Sequence, residues 1–269
     1  MTPIVSTVFF ILITIGYFFL KSKPTTINEF ATYNSSNNTK LIIYFCTVVF
    51  IQLSINIGAM SSLCGGSIQE NIASAFIITI IPWILIFGCI IIVLIIFPGF
   101  KSAFSNVIGY FIVAGSANKI LTDLLLDVNT DSAISKVNPD EQGELRKAAD
   151  IIVKICGNTA LMINQIVPEN FIEYWTLLTP LFKKSLSPEE INDKQLKLFH
   201  LVITRDNIGE ILWYIYTGVL LISIVQYNII SRGCTQSLAT MAVNHQKFLD
   251  EEELQNQNTQ AANNTAYIG

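Results

Sequence analysis

Few side chains in this sequence have the type and spacing for chemistry, and most of them border apolar runs. Glu210 stands at the mouth of the last such run, one turn after Arg205 and Asp206. Ionisable groups inside membranes commonly mark ion or proton paths. So near the end of a run, however, the side chain is expected to reach out to water along the interface. Gln52 and Asn56 fall four residues apart on one face of another run. Amides placed that way bridge neighbouring helices, at roughly 0.5–2 kcal/mol each. Cys64 and Cys234 adjoin glycine just outside two apolar runs, in LCGGS and SRGCT. With four spans they share one side of the membrane, and they are candidates for a disulfide on an oxidising side; the alternative is two unpaired thiols.

Other chemistries find no support. His200 and His245 are far apart, and no Cys or carboxylate cluster has metal-ligand spacing, so no zinc site is expected. No phosphate-binding loop, dinucleotide glycine pattern or nucleophile elbow occurs. Gly65-Gly66 reads as a turn. Catalytic residues, cofactors and metals are all expected to be absent.

The elements that must position these residues are mostly apolar. Hydrophobic residues make up 51% of the 269-residue chain and charged residues only 13%, about half the charge of an average soluble domain. Three uncharged runs lie within a membrane region 1–100, at about 3–20, 41–60 and 72–98, and a fourth lies at 208–230. A bilayer core of about 30 Å takes about 20 helical residues to cross, so four transmembrane helices are expected. The first run has no basic residue ahead of it and Lys21 and Lys23 behind it, the reverse of a cleaved leader; it is expected to stay as an anchor. Pro82 should kink or start a helix below the interface, and Pro98-Gly99 should end it, with Phe97, Phe100, Phe104 and Tyr110 at the membrane boundary. Lysines in the 21–40 loop and the 101–207 segment place both on the cytosolic side. Glycosylation patterns at Asn34 and Asn37 run against that side, and a further one lies at Asn263.

Segment 101–207 carries eleven basic and thirteen acidic residues, so nothing marks it as a nucleic-acid surface. Its punctuation is helical. Asn138-Pro139-Asp140-Glu141 and Ser187-Pro188-Glu189-Glu190 are helix starts, the second a full capping box. Asn158 and Pro168 are expected to open two more helices. Within it, 102–120 is uncharged until Lys119 yet broken by Ser, Asn and Gly; it fits an interfacial helix, a re-entrant segment or the buried first helix of the domain, and less well a fifth span. The tail 231–269 is polar and acidic, helical at first and expected to be disordered from the acidic run 250–253 onward.

The stretch CGGSIQENIASAFIITIIPWILIFGCIIIVLIIFPGFKSAFSNVIGYFIV resembles a membrane protein of nucleocytoplasmic large DNA viruses, the giant viruses of algae and protists. The resemblance rests on Cys64–Gly66 with Asn71, on Ile81-Pro82-Trp83, on Phe97-Pro98-Gly99-Phe100-Lys101, and on Phe104-Ser105-Asn106 with Gly109-Tyr110. The tail GCTQSLATM is also similar. The close match covers about a quarter of the chain. It implies a structural protein of the virion's internal membrane, assembled at host endomembranes and touching the minor capsid layer, and it implies no catalysis.

The expected fold is therefore all-α: an integral membrane protein with about four transmembrane helices and a small helical extramembrane domain between the third and fourth. The expected partners are the lipid bilayer, capsid or other virion membrane proteins, and further copies of the chain. A small oligomeric ion channel using Gln52, Asn56 and Glu210 is the alternative function, and a membrane redox protein working through Cys64 and Cys234 the third.

Overall fold

The computed structural model describes residues 2–21, 23–64, 68–125, 159–183, 185–231 and 238–265. The protein is all-α. Among the described residues there is no strand, only an isolated bridge between Leu125 and Phe182. Four helices are long and apolar enough to cross a membrane: Pro3–Leu20, Ser35–Cys64, Asn71–Ile96, and a stretch of Pro188–Ser231.

Helix α1 (Thr2–Leu20) and helix α2 (Phe30–Cys64) pack against each other. The third span is α3 (Ile68–Pro82), one π-helical turn (Trp83–Phe87) and α4 (Gly88–Ile96). Pro82 does not break this helix. Having no N–H, it cannot close the α-helical ladder behind it, and the chain answers with a wide turn in which the Gly88 N–H donates to the Trp83 carbonyl. The wide turn also serves packing. Thr79, Trp83, Phe87 and Ile91 are all buried, and each four-residue step on an α-helix drifts about 40° round the axis. A π turn takes back part of that drift.

Phe97, non-helical before Pro98 with φ −121° and ψ 75°, ends the span, as proline disfavours a helical residue ahead of it. After the tight turn Pro98–Lys101 the chain resumes as a short helical turn, a second π segment (Ser105–Gly109) and α5 (Tyr110–Leu124). Segment 102–124 is thus helical and packs one face on the core between the third span and the helix Pro188–Ser231. Val113, Ala117, Leu121 and Leu124 face inward, whereas Val107, Ile108, Phe111 and Ile112 are exposed. Helix α6 (Thr159–Gln165) and helix α7 (Phe171–Leu178) complete that core with Met162, Ile163, Phe171 and Trp175. The helix start at Asn138 lies outside the described residues.

Two helices run further than hydropathy alone indicates. The second apolar run, 41–60, belongs to a 35-residue helix that begins at Phe30. The fourth, 208–230, is the far half of α8 (Pro188–Ser231), a single 44-residue helix. The Ser187–Glu190 capping box forms at its start: Glu190 N–H donates to Ser187 Oγ, and Ser187 N–H to Glu190 Oε2. At 1.5 Å per residue α8 is about 66 Å long, twice a bilayer core. Its far half is apolar enough to span a membrane, and its near half packs on the helices of segment 102–182. The tail corrects another expectation: α9 (Leu238–Thr265) continues through the acidic run 250–253. Glu, Gln, Leu and Ala there are strong helix formers, and Gln246 bonds Asp250 one turn on.

Candidate functional site

Three distant parts of the chain bring charge together where the bundle meets the extramembrane unit. Lys21 follows α1, Lys101 closes the turn after the third span, and Asp206, Asn207 and Glu210 occupy successive turns of α8. The Lys21 ammonium donates to Glu210 Oε1 and to Asn207 Oδ1, both at 2.8 Å. The Lys101 ammonium lies 2.8 Å from Asp206 Oδ2 and 3.4 Å from Glu210 Oε2. Asn207 Nδ2 in turn donates to the Tyr33 hydroxyl at 3.2 Å, and the Tyr17 hydroxyl reaches Glu210 at 3.4 Å. Glu210 is only 7% exposed. It does not reach out to water; its charge is met inside the protein by two lysines.

Close backbone approach makes the cluster reachable. A Cβ on Gly209 would lie 2.7 Å from the Lys101 carbonyl, and one on Gly109 would lie 2.7 Å from the Arg205 carbonyl. Only glycine lets segment 98–109 lie this close on α8, and that closeness carries Lys101 to Asp206. Arg205, fully buried, turns the other way. Its guanidinium donates to the carbonyls of Ile163 and Ile166, in and just past the last turn of α6, where carbonyls lack helical partners. Burial alone would pull the Lys101 ammonium towards neutrality, but Asp206 and Glu210 outweigh it and hold its pKa above the ordinary lysine value.

Against this cluster lies a cavity of about 150 Å³, bounded by Tyr17, Tyr33, Asn37, Leu94, Glu169 and Tyr214 among others. Asn37 is 6% exposed, and among the described residues neither its amide nitrogen nor its oxygen has a partner. That burial also closes the glycosylation pattern at Asn37 in the folded protein. Glu169 sits at the edge; burial against the protein, then the Asp206 charge, raise its pKa above the usual carboxylate range.

The other polar positions gather towards the opposite end of the bundle. Gln52 accepts from the Ser6 hydroxyl and donates to the Ser6 carbonyl, joining α2 to α1. Asn56 donates to Thr79 Oγ1 and accepts from Gln226 Nε2, joining α2 to α3 and α8. Between this layer and the charged cluster, Phe10, Trp83, Phe87 and Tyr214 fill the interior, none more than 1% exposed. Pro82 and Trp83 therefore lie mid-bundle, while Phe97, Gly99 and Phe100 border an open apolar face beside Trp213, whose Nε1 donates to the Phe100 carbonyl.

Cys46 and Cys89 are free thiols on the outer surface. Cys64 is disulfide-bonded; its partner, like Cys234, lies outside the described residues. His200 bonds the Pro24 carbonyl at 2.7 Å, and no group of His, Cys, Asp and Glu among the described residues could hold a metal ion. Sequence reasoning missed Lys21, Asn37, Asp206 and Asn207 as members of one site. The available signal was one carboxylate at a span end and single lysines flanking two others.

No family model, no curated protein and no solved structure matches the chain. The likeness to giant-virus membrane proteins rests on the residues quoted for it alone.

Proposed function

We propose that the chain is a structural protein of the internal membrane of a large DNA virus particle, anchoring or shaping that lipid layer and meeting capsid proteins through its extramembrane helices and tail. The observation that carries this reading is the unbroken α8, which passes from the membrane bundle into the extramembrane unit. Segment 98–109 and the Lys101–Asp206 pair clamp the unit to that helix at the junction. Displacement of the unit is thereby transmitted to the bundle instead of being absorbed by a linker, which suits an anchor between a membrane and a shell. The neutral, fully packed interior gives less support to the alternative, a small oligomeric ion channel, because Phe10, Trp83, Phe87 and Tyr214 close the path within one chain. Conduction would have to run between chains.

Cross-linking mass spectrometry on intact purified particles tests the proposal, with Lys119, Lys194 and Lys197 as reporters. Cross-links from them to capsid proteins are expected. Absence of the protein from particles, with its recovery only from host membranes, would overturn the reading. Bilayer currents that vanish in Glu210→Gln would put the channel first.

A further inference from the structure

We infer that the cavity beside the Lys21–Glu210–Lys101 cluster is a binding site for a phosphodiester headgroup bearing an amine, presented by a membrane lipid. The inference stands independently of the virion reading, since it needs only a bilayer.

The walls of the cavity have unused donors. An ammonium has three N–H groups, and Lys21 and Lys101 each meet two acceptors among the described residues. Asn37, nine-tenths buried, lines the cavity with both ends of its amide unpartnered. A buried amide without partners costs roughly 1–3 kcal/mol, so the site favours a polar occupant, water or a ligand group. The volume is about five waters' share, enough for a few heavy atoms and too small for a drug-sized ligand. Lys21, Lys101 and Asn37 all line the cavity, and a phosphate offers several acceptor oxygens to such donors.

The mouth selects the source and the second group. Its exposed members are Ile95, Asn38 and Glu169. Ile95 is 51% exposed on the outer face of the third span, where acyl chains lie, and Leu41 and Leu94 continue that apolar side inward. Asn38 and Glu169 form the polar side. Such a two-sided rim at the end of a span fits a molecule that is half lipid and half headgroup. Lys21 and Lys101 are balanced by Asp206 and Glu210, leaving Glu169 as the additional carboxylate. A headgroup amine neutralises Glu169 while its phosphate takes the lysine donors, so a zwitterion suits the site better than an anion.

The experiment follows the thermal unfolding of the purified full chain in phosphate-free detergent, with four additives. These are dioctanoyl phosphatidylethanolamine, dioctanoyl phosphatidylglycerol, dioctanoylglycerol and the soluble headgroup glycerophosphoethanolamine. The ethanolamine lipid should raise the midpoint by about 5 °C at a hundredfold excess over its dissociation constant. The glycerol lipid should raise it less and dioctanoylglycerol not at all. Asn37→Leu, which puts an apolar side chain into the cavity and removes no hydrogen bond seen among the described residues, should abolish the rise while unfolding at or above the wild-type midpoint without lipid; Asn37→Ala should weaken the rise and serves if the leucine variant misfolds. Glu169→Gln should remove the preference for ethanolamine over glycerol. An equal rise with dioctanoylglycerol, an undiminished rise in both Asn37 variants, or no rise with any additive would overturn the site. A rise with glycerophosphoethanolamine equal to that with the lipid would overturn the membrane as source and leave a free phosphate ester.

Discussion

The two polar layers of the bundle do the same job with different chemistry. At one end Gln52, Asn56, Thr79 and Gln226 join α1, α2, α3 and α8 through neutral amides and a hydroxyl. At the other, Lys21, Lys101, Asp206 and Glu210 join α1, the turn after the third span and α8 through full charges. Glu210 and Gln226 are sixteen residues apart on α8, or about 24 Å. Neutral groups suit the layer reached only through the apolar body, because an unpaired charge in a membrane interior is costly. Charges suit the end where extramembrane helices, and not lipid alone, surround them. The two layers should therefore fail differently: the charged one all at once when its balance is broken, the neutral one by small steps.

Removing Glu210 is expected to have the largest effect. Glu210→Leu leaves Lys101 with Asp206 but Lys21 with only the neutral Asn207, and breaking a buried pair from one side costs about 3–5 kcal/mol, or roughly 10 °C in melting temperature for a chain of this size. The double change Glu210→Leu with Lys21→Leu restores a one-to-one balance through Lys101–Asp206 and should regain more than half of the loss in detergent-solubilised unfolding. A double variant no more stable than the single one would show that charge balance does not govern this layer.

Backbone approach comes second. Gly209→Ala must push Lys101 and Ser105 away from α8, at about 1–3 kcal/mol, and should loosen the extramembrane unit. Hydrogen exchange rising in 110–124 but not in α1 would be its signature. Gly58→Ala, with open space around the added carbon, is the control and should not destabilise. In the neutral layer Asn56→Leu strands Gln226 and Thr79 and should cost about 0.5–2 kcal/mol. If it matched Glu210→Leu, the contrast between the layers would fall.

The spans were legible because runs such as ILIFGCIIIVLII leave no other solution, and the amides at Gln52 and Asn56 because a four-residue spacing puts both on one face. The length of α2 and α8 was hidden. Hydropathy reports only the part of a helix that lipid surrounds, and residues 34–39, all Asn, Ser and Thr, read as loop although they continue α2. The charged site was hidden for a different reason. Lys21, Lys101 and Glu210 are each a single charge at a span end, where snorkelling is the ordinary outcome; only the packing of α1 on α8, and the close approach that Gly109 and Gly209 permit to segment 98–109, make them neighbours.

The smallest expected effect lies outside both layers, at the Asp123–Lys194 pair joining α5 to α8 at 3.0 Å. The Asp123 side chain is 46% exposed, so the pair is open to water and salt. The hydrogen bond from Lys194 holds the Asp123 pKa below its ordinary value. A carboxylate depressed in the folded state stabilises above its unfolded pKa of about 3.9 and loses that contribution as pH falls through the folded value. The difference in melting temperature between wild type and Lys194→Ala should thus be small at pH 7, shrink below about pH 4, and disappear in 1 M salt, where screening acts within about 3 Å. The Glu210→Leu difference should survive the same salt, because buried charges are screened much less. Equal salt sensitivity of the two would mean that water reaches the inner cluster as freely as the surface pair, and the distinction between a buried lock and an exposed ion pair would be lost.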